Sequence, residues 1–131
     1  MTVDKEVQDV LDQIAASITA GDGETVADLW ETPGFVIGPS MAMVINTRAE
    51  CAKMFSSGKA QYNAKGISDT RAEVLGLEWI GTDVVIAKVR WPYLDKKGCE
   101  IGGERSDYTF RRDGEGTLKV REVLMRGEEA K

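Results

Sequence analysis

The spacing of hydrophobic residues changes along the chain, from a helical period in the first part to a strand period near residue 70. Val7, Leu11 and Ile14 recur three and four residues apart, so residues 4–20 are predicted to form an amphipathic helix. After residue 70, apolar and polar residues alternate, which is typical of strands with one buried face. The pattern therefore predicts helices first and a sheet afterwards.

The second predicted helix is short. Asp22 follows the first helix and can cap the next one, because its carboxylate can accept hydrogen bonds from free backbone N–H groups. The apolar residues of this helix are Val26, Leu29 and Trp30. Pro33 lacks the backbone N–H that a helix needs, so the helix is predicted to end before it.

Two short strands and a third helix are predicted next. The strands are placed at 35–37 and 41–45. Thr47 and Glu50 have the spacing of a capping box, in which the two side chains satisfy backbone donors at a helix start. The helix that they open is predicted to end at Gly58.

The last part of the chain is predicted to be an antiparallel meander, preceded by a stretch without clear pattern at 59–69. Its strands are predicted at 70–80, 83–94, 99–112 and 117–126. Each of the three segments between them contains a glycine, as turns often do. The sequence therefore predicts one α+β domain over residues 1–131, with three N-terminal helices packed on a strongly curved antiparallel sheet.

Charge and composition argue against several kinds of partner. The 131 residues carry a formal net charge of −5 and only short basic pairs, so no nucleic-acid-binding surface is predicted. The longest apolar run, 41–45, is far shorter than the about 20 residues of a membrane span, so no membrane partner is predicted. Residues 1–7 lack the pattern of a secretory signal, and the two cysteines lie far apart, which predicts a cytoplasmic protein.

The chain contains no histidine. Imidazole is the usual proton carrier near neutral pH, so its absence excludes histidine metal sites and the Ser-His and Cys-His pairs of nucleophilic enzymes. Cys51 and Cys99 do not have the spacing of a zinc site. Neither a metal nor a cofactor is therefore predicted.

Two stretches in the second half resemble a known family. One is 105–127, with its Arg-Arg-Asp-Gly turn and the strand after it, and the other is 84–95, which ends Val-Arg-Trp-Pro-Tyr-Leu-Asp. Together with the order of elements, they resemble the NTF2-like superfamily, and in particular its small bacterial members. This superfamily includes SnoaL-type polyketide cyclases, ketosteroid isomerase and kinase association domains. The resemblance implies a cone-shaped fold and frequent dimerisation, and it leaves the activity open because the fold hosts many activities.

The residues that the resemblance implies for catalysis are missing here. Cyclase-like members pair an acid with a histidine. In the isomerase-like pattern, a catalytic aspartate lies at a position near Gly38, where this chain has no acid between Glu31 and Glu50. The residues of this chain therefore do not match the isomerase-like mechanism at that position.

Alternation along the predicted strands assigns their residues to two faces of the sheet. The inner face is predicted to carry Trp91, Tyr93 and Tyr108, with Glu104 as its acid. The outer face is predicted to carry apolar residues and a charge-balanced patch, which a second copy of the domain would cover in a homodimer. The predicted dimer-interface residues are Trp79, Lys88, Arg90, Arg105, Leu118, Val120 and Glu122.

The cavity of the cone is predicted to bind a small apolar molecule through aromatic and methionine side chains. The predicted ligand-binding residues are Trp30, Met54, Trp91, Tyr93, Glu104, Tyr108 and Met125. Three acids are candidate catalytic groups. Asp107 and Glu122 are predicted to lie opposite each other, where they would share a proton or form ion pairs with Lys88 and Arg105. Glu104 is predicted to lie either near the aromatic residues, where burial would raise its pKa, or at a rim position near Gly102 and Gly103.

Three functions remain open at this point. The domain is a non-catalytic small-molecule binder, an enzyme of the isomerase or cyclase type with a carboxylate base, or a dimerisation module with an unused cavity. The volume of the cavity separates the first from the third. A carboxylate with a raised pKa inside the cavity would favour the second.

Overall fold

The computed structural model of the protein describes residues 3–129. Residues 1 and 2, which contribute to the localisation prediction, lie outside the described residues. The helices are α1 (Val3–Ala20), α2 (Gly23–Asp28), α3 (Arg48–Ser56) and α4 (Gly58–Ala64). The strands are β1 (Trp30–Gly38), β2 (Met41–Ile45), β3 (Asp69–Thr70), β4 (Glu73–Ile80), β5 (Val84–Leu94), β6 (Glu100–Arg112) and β7 (Leu118–Glu128).

The strands form one curved sheet in the order β2-β1-β7-β6-β5-β3, and β4 also pairs with β5. The predicted α+β fold, with N-terminal helices packed on a curved sheet, is confirmed. The predicted meander of β4 to β7 is antiparallel throughout. The sheet is nevertheless mixed, because β1 lies parallel to β7. No short turn joins these two strands, so their relative direction is not restricted to the antiparallel arrangement of a hairpin.

Two of the predicted caps form as expected. The backbone N–H of Thr25 donates to Asp22 Oδ1 at 3.1 Å, and the backbone N–H of Glu50 donates to Thr47 Oγ1 at 3.1 Å. The predicted position of Trp30 is wrong, because this residue begins β1 and pairs with Val120 instead of continuing the second helix.

The segment predicted to lack a pattern contains a helix. Gly58, predicted as a helix end, is the first residue of α4, and this helix packs against α1 and α3. A Cβ atom at Gly58 would lie 2.9 Å from Ile18 Cγ2, so a glycine allows α4 to approach α1 closely. The predicted strand at 70–80 is also divided, into β3 and β4.

The sheet contains several β-bulges, and those at Leu75 and Arg121 change which of the predicted residues face inward. Pairing along β4 skips Leu75, and pairing along β7 skips Arg121. Each unpaired residue reverses the alternation on one side of it. As a result Leu118 and Val120, predicted on the outer face, are 1% and 0% exposed in the core, and Trp79 packs against the same core. The prediction of these three residues as dimer-interface residues is therefore wrong.

The core fills one end of the sheet's inner face. Leu11 and Ile14 of α1 and Val85, Phe110 and Val120 of the sheet are all buried in it. The next inward positions along β6, from Tyr108 toward the start of the strand, leave the core and line a cavity. None of the helices in residues 3–129 has the length and apolarity of a membrane span.

Candidate functional site

The cavity has a volume of about 370 Å³ and lies between the inner face of the sheet and the helices. Its apolar walls come from Ile18 of α1, Phe55 of α3, Val36 of β1 and Val123 and Met125 of β7. This volume lies in the range of roughly 300–1,000 Å³ that is usual for small-ligand sites. The predicted cavity is therefore present and large enough for a small molecule.

Strand β6 forms the floor of the cavity. Glu104, Ser106 and Tyr108 are alternate residues of this strand, so their side chains point to the same inner face. At roughly 3.3 Å per residue, the line from Glu104 to Tyr108 extends over about 13 Å. The polar end of this line is at Glu104, and the aromatic end at Tyr108 meets the core.

The carboxyl group of Glu104 is the acid of the cavity. Burial raises its pKa, and the neighbouring carboxylate of Glu128 raises it further. The hydroxyl groups of Tyr93 and Tyr62 and the ammonium group of Lys65 oppose this shift, because each favours the charged carboxylate. Burial is the largest of these effects, so the net shift is upward.

Tyrosine rings surround this carboxyl group. The rings of Tyr62 and Tyr93 lie 5.8 Å apart at 59°, and those of Tyr108 and Trp91 lie 5.8 Å apart at 56°. Burial and the nearby Glu104 raise the pKa of Tyr62, Tyr93 and Tyr108. The three phenols therefore stay protonated near neutral pH and act as hydrogen-bond donors.

An ion pair lies beside the polar end of the cavity. Lys65, just after α4, lies 3.8 Å from Glu128 of β7, and both side chains are largely exposed. Glu128 is paired with Glu104 in the β6–β7 register, so the two carboxylates lie on neighbouring strands at this end. The polar end thus opens toward solvent beside a Lys–Glu pair.

The structure brings most of the predicted ligand-binding residues together. The residues of that set in the cavity wall are Met54, Tyr93, Glu104, Tyr108 and Met125. Trp30 and Trp91 lie behind the wall, where Trp30 packs on Phe55 at 5.4 Å and Trp91 on Tyr108. These two tryptophans support the cavity from the core, so the prediction that they line it is wrong.

The predicted facing pair of acids does not form. Asp107 lies opposite Leu124, and Glu122 lies opposite Thr109, a shift of two residues from the predicted register. One residue comes from the turn, where Arg112 pairs with Leu118, and the other comes from the bulge at Arg121. The Asp107 carboxylate accepts a hydrogen bond from Arg126 Nη2 at 2.6 Å. Both acids lie outside the cavity wall, which leaves Glu104 as the catalytic candidate inside it.

The other residues predicted for the dimer interface lie on the outer face of the sheet. One of them, Arg90, already forms ion pairs with three glutamates of the same chain. Arg90 forms ion pairs with Glu73 at 3.1 Å and Glu129 at 3.0 Å, and with Glu100. Arg105 also binds Glu129, at 2.9 Å. Lys88 is exposed and is paired with Asp107 in the β5–β6 register.

Among the residues that sequence reasoning did not assign to the site are Tyr62 and Lys65, which lie near Glu104. Both belong to the segment without clear pattern, where Tyr62 lies in α4 and Lys65 directly follows this helix. The residues of α4 include Ala60 and Ala64 but no β-branched residue, which was the available signal for a helix. A helix there would have placed Tyr62 beside the sheet.

No group of three or more histidine, cysteine, aspartate or glutamate side chains converges on a possible metal position within residues 3–129. The polar groups of the cavity wall are one carboxyl group, several hydroxyls, the amide of Gln61 and the ammonium group of Lys65. This set suits hydrogen bonding to an organic molecule better than metal coordination.

The fold occurs in many solved structures. A domain of unknown function with a cystatin-like fold from Nostoc punctiforme is 16% identical with a TM-score of 0.77, over 99% of this chain and 80% of that one. An NTF2-like protein from Novosphingobium aromaticivorans is 16% identical with a TM-score of 0.73, over 94% of this chain and 80% of that one.

A third similar structure is a ketosteroid isomerase-like protein from Erwinia carotovora atroseptica. It is 13% identical with a TM-score of 0.70, over 97% of this chain and 96% of that one. No curated protein sequence matches the chain. The family model described as NTF2-like protein (DUF6841) matches residues 5–128, and the chain therefore belongs to this family of NTF2-like proteins.

Proposed function

We propose that the cone binds a small, mostly apolar molecule that carries one polar group. The observation that supports this most is the cavity of about 370 Å³, with apolar walls and a carboxyl group at one end. Apolar walls supply most of the binding free energy in such sites, and a few polar groups orient the ligand. The apolar part would lie against Val123 and Met125, and the polar part would reach Glu104.

The proposal is tested by filling the cavity. Ser106 is 5% exposed on the cavity floor, so Ser106→Phe would occupy the space of the ligand. We expect the variant to lose at least about tenfold in affinity for Nile red, an apolar dye, which corresponds to about 1.4 kcal/mol. It should also lose any molecule that the wild-type protein releases on denaturation, as measured by mass spectrometry.

The matched control is Arg111→Phe, which adds the same ring to the exposed side of the same strand. Circular dichroism of both variants confirms that the fold is intact. Equal retention of dye and of released molecules by wild type, Ser106→Phe and Arg111→Phe would contradict a binding role for the cavity.

A second candidate function is proton transfer by a carboxylate base, as in isomerase-like or SnoaL-like enzymes. The observation that favours it is the raised pKa of Glu104, because a carboxyl group against apolar walls can act as base or acid near neutral pH. Tyr93 and Tyr62 would donate to a developing negative charge on the substrate. Deuterium uptake from D₂O into a bound molecule, lost in Glu104→Gln with binding retained, would support catalysis over simple binding.

We also propose a homodimer through the outer face of the sheet. Val44, Phe35 and Ile37 expose 47%, 39% and 38% of their area, and Leu124 lies beside Ile37 in the next strand. Such a contiguous apolar surface is usually covered by a partner. Lys88 and Asp107 continue the same row of the sheet, so two copies related by a two-fold axis could match opposite charges.

The dimer is tested by Leu124→Asp, which places a carboxylate in the centre of the proposed interface. We expect the variant to be a folded monomer by light scattering, because an unpaired charge in an interface is strongly unfavourable. Ile80→Asp is the control, since Ile80 is exposed at the far end of β4. A monomeric wild-type protein would contradict the proposal.

We further propose a cytoplasmic location. Both cysteines are free, with Cys51 buried and Cys99 exposed, as expected in a reducing compartment. Burial raises the pKa of the Cys51 thiol to about 11, so this residue is an unreactive core residue. Cell fractionation that finds the protein outside the cytoplasm would contradict the location.

A further inference from the structure

The charges around the cavity are unevenly distributed. Glu104 lies inside, and Glu128 lies next to it on the neighbouring strand. Lys65 is the lysine of the cavity wall, and it is largely exposed and paired with Glu128. Among the described residues of the wall, no arginine and no second lysine compensates the carboxylate of Glu104.

We propose that the ligand carries a protonated amine, which binds between the Glu104 carboxylate and the rings of Tyr62 and Tyr93. This inference rests on the proposed binding function and specifies the chemical class of the ligand. The reason is that the wall has no arginine or second lysine to neutralise the Glu104 carboxylate, so the ligand would supply the positive charge. The apolar part of the same molecule would lie against the apolar walls.

Hydrogen-bonding capacity supports this arrangement. An ionised carboxylate offers about four lone-pair sites, and an ammonium group offers three donors. The hydroxyls of Tyr93 and Tyr62 interact with Glu104 and use part of that capacity. The remaining sites can accept from the ammonium group, and a charge-assisted bond of this kind is about twice as strong as one between neutral groups.

The aromatic rings add a second attraction. A cation over the face of a tyrosine ring is stabilised by the negative charge density of that face. The rings of Tyr62 and Tyr93 are inclined at 59° to each other, so they present differently oriented surfaces beside the same carboxyl group. Tyr108 lies further along the floor, where it contacts the apolar part of the ligand.

Other ligand classes fit the same charges less well. A carboxylate ligand would be repelled by Glu104 and Glu128, and a neutral alcohol would leave the buried carboxylate without a counter-charge. The cavity therefore selects an apolar amine over an apolar acid of the same size.

The pH dependence of amine binding has a definite sign. The groups that face Glu104 are Tyr93 from β5, Tyr62 and Lys65 from α4 and its end, and Glu128 from β7. Burial moves the pKa of Glu104 above that of an ordinary glutamate. Because the amine needs the ionised carboxylate, binding weakens as pH falls through that pKa. The loss begins at a higher pH than for an exposed glutamate.

The test is isothermal titration calorimetry of the full chain with two matched series. The first contains phenethylamine, phenethyl alcohol and phenylacetate, and the second contains hexylamine, hexanol and hexanoate. We expect each amine to bind at least about tenfold more tightly than its alcohol, and each carboxylate to bind least. Glu104→Gln should remove the preference for amines. Glu122→Gln, on the outer face of the same hairpin, should retain it.

Each result decides the inference. Alcohols that bind as tightly as the amines, or an amine preference that survives Glu104→Gln, would overturn the ammonium site and leave the proposed binding function intact. Absence of binding for both series, together with unchanged dye binding in Ser106→Phe, would contradict the ammonium site and the proposed function together.

Discussion

Replacing Leu118 with aspartate is expected to unfold the protein. The sequence pattern places this residue on the outer face, where the substitution would only dissociate a dimer, but the side chain is 1% exposed in the core. The change removes a buried leucine and buries a carboxylate among apolar groups. Together these effects should cost at least about 4 kcal/mol, a large part of the roughly 5–15 kcal/mol by which a domain is stable. Urea denaturation followed by circular dichroism measures this loss.

Leu124→Asp is the matched comparison, because Leu124 lies on the same strand but on the opposite face. We expect this variant to remain folded and to keep a cooperative unfolding transition. If Leu118→Asp unfolds no more easily than Leu124→Asp, the inward position of Leu118 and the bulge that produces it are wrong.

The second large effect is expected at Gly23, the first residue of α2. A Cβ atom there would lie 2.0 Å from the backbone oxygen of Ala52 and 2.7 Å from the backbone nitrogen of Ser56. Backbone atoms cannot rotate away, so Gly23→Ala must separate α2 from α3. We expect a loss of roughly 3 kcal/mol or more in the free energy of unfolding, at the upper end of the usual cost of overpacking.

Gly76→Ala is the control for this substitution. No atom lies within 4 Å of a Cβ at Gly76, which sits in β4. Alanine should be neutral or stabilise the strand slightly, because it reduces the freedom of the unfolded chain. If Gly23→Ala and Gly76→Ala unfold at the same urea concentration, the contact between α2 and α3 is looser than described.

The fold was largely predictable because its elements are marked by short-range signals. The spacing of Val7, Leu11 and Ile14 predicts the first helix, and the glycine-containing turns predict the meander. The two bulges have no such signal. Leu75 and Arg121 are ordinary strand residues, and only pairing with neighbouring strands leaves them unpaired. The faces of the sheet were therefore assigned correctly on one side of each bulge and wrongly on the other.

The candidate site was predictable where it rests on β5 and β6. The inward orientation of Tyr93, Glu104 and Tyr108 is predicted by the alternation of side chains along these strands. No bulge in the pairing with β5 lies between Glu104 and Tyr108. Tyr62 was not predictable in the same way, because α4 is short and has no buried residue to give it a periodic pattern. Tertiary contact with α1 and α3 places this helix, and such contacts are not visible in local sequence.

The parallel pairing of β1 with β7 has a consequence for the order in which the sheet assembles. The hairpins β1–β2, β4–β5, β5–β6 and β6–β7 each join neighbouring segments, whereas β1 meets β7 only across nearly the full length of the chain. Contacts between distant segments form late, because closing a long loop has an entropic cost before any contact compensates for it. On a ribosome, β1 has to wait until residues 118–128 have emerged, and the cavity cannot be enclosed before β7 has been synthesised.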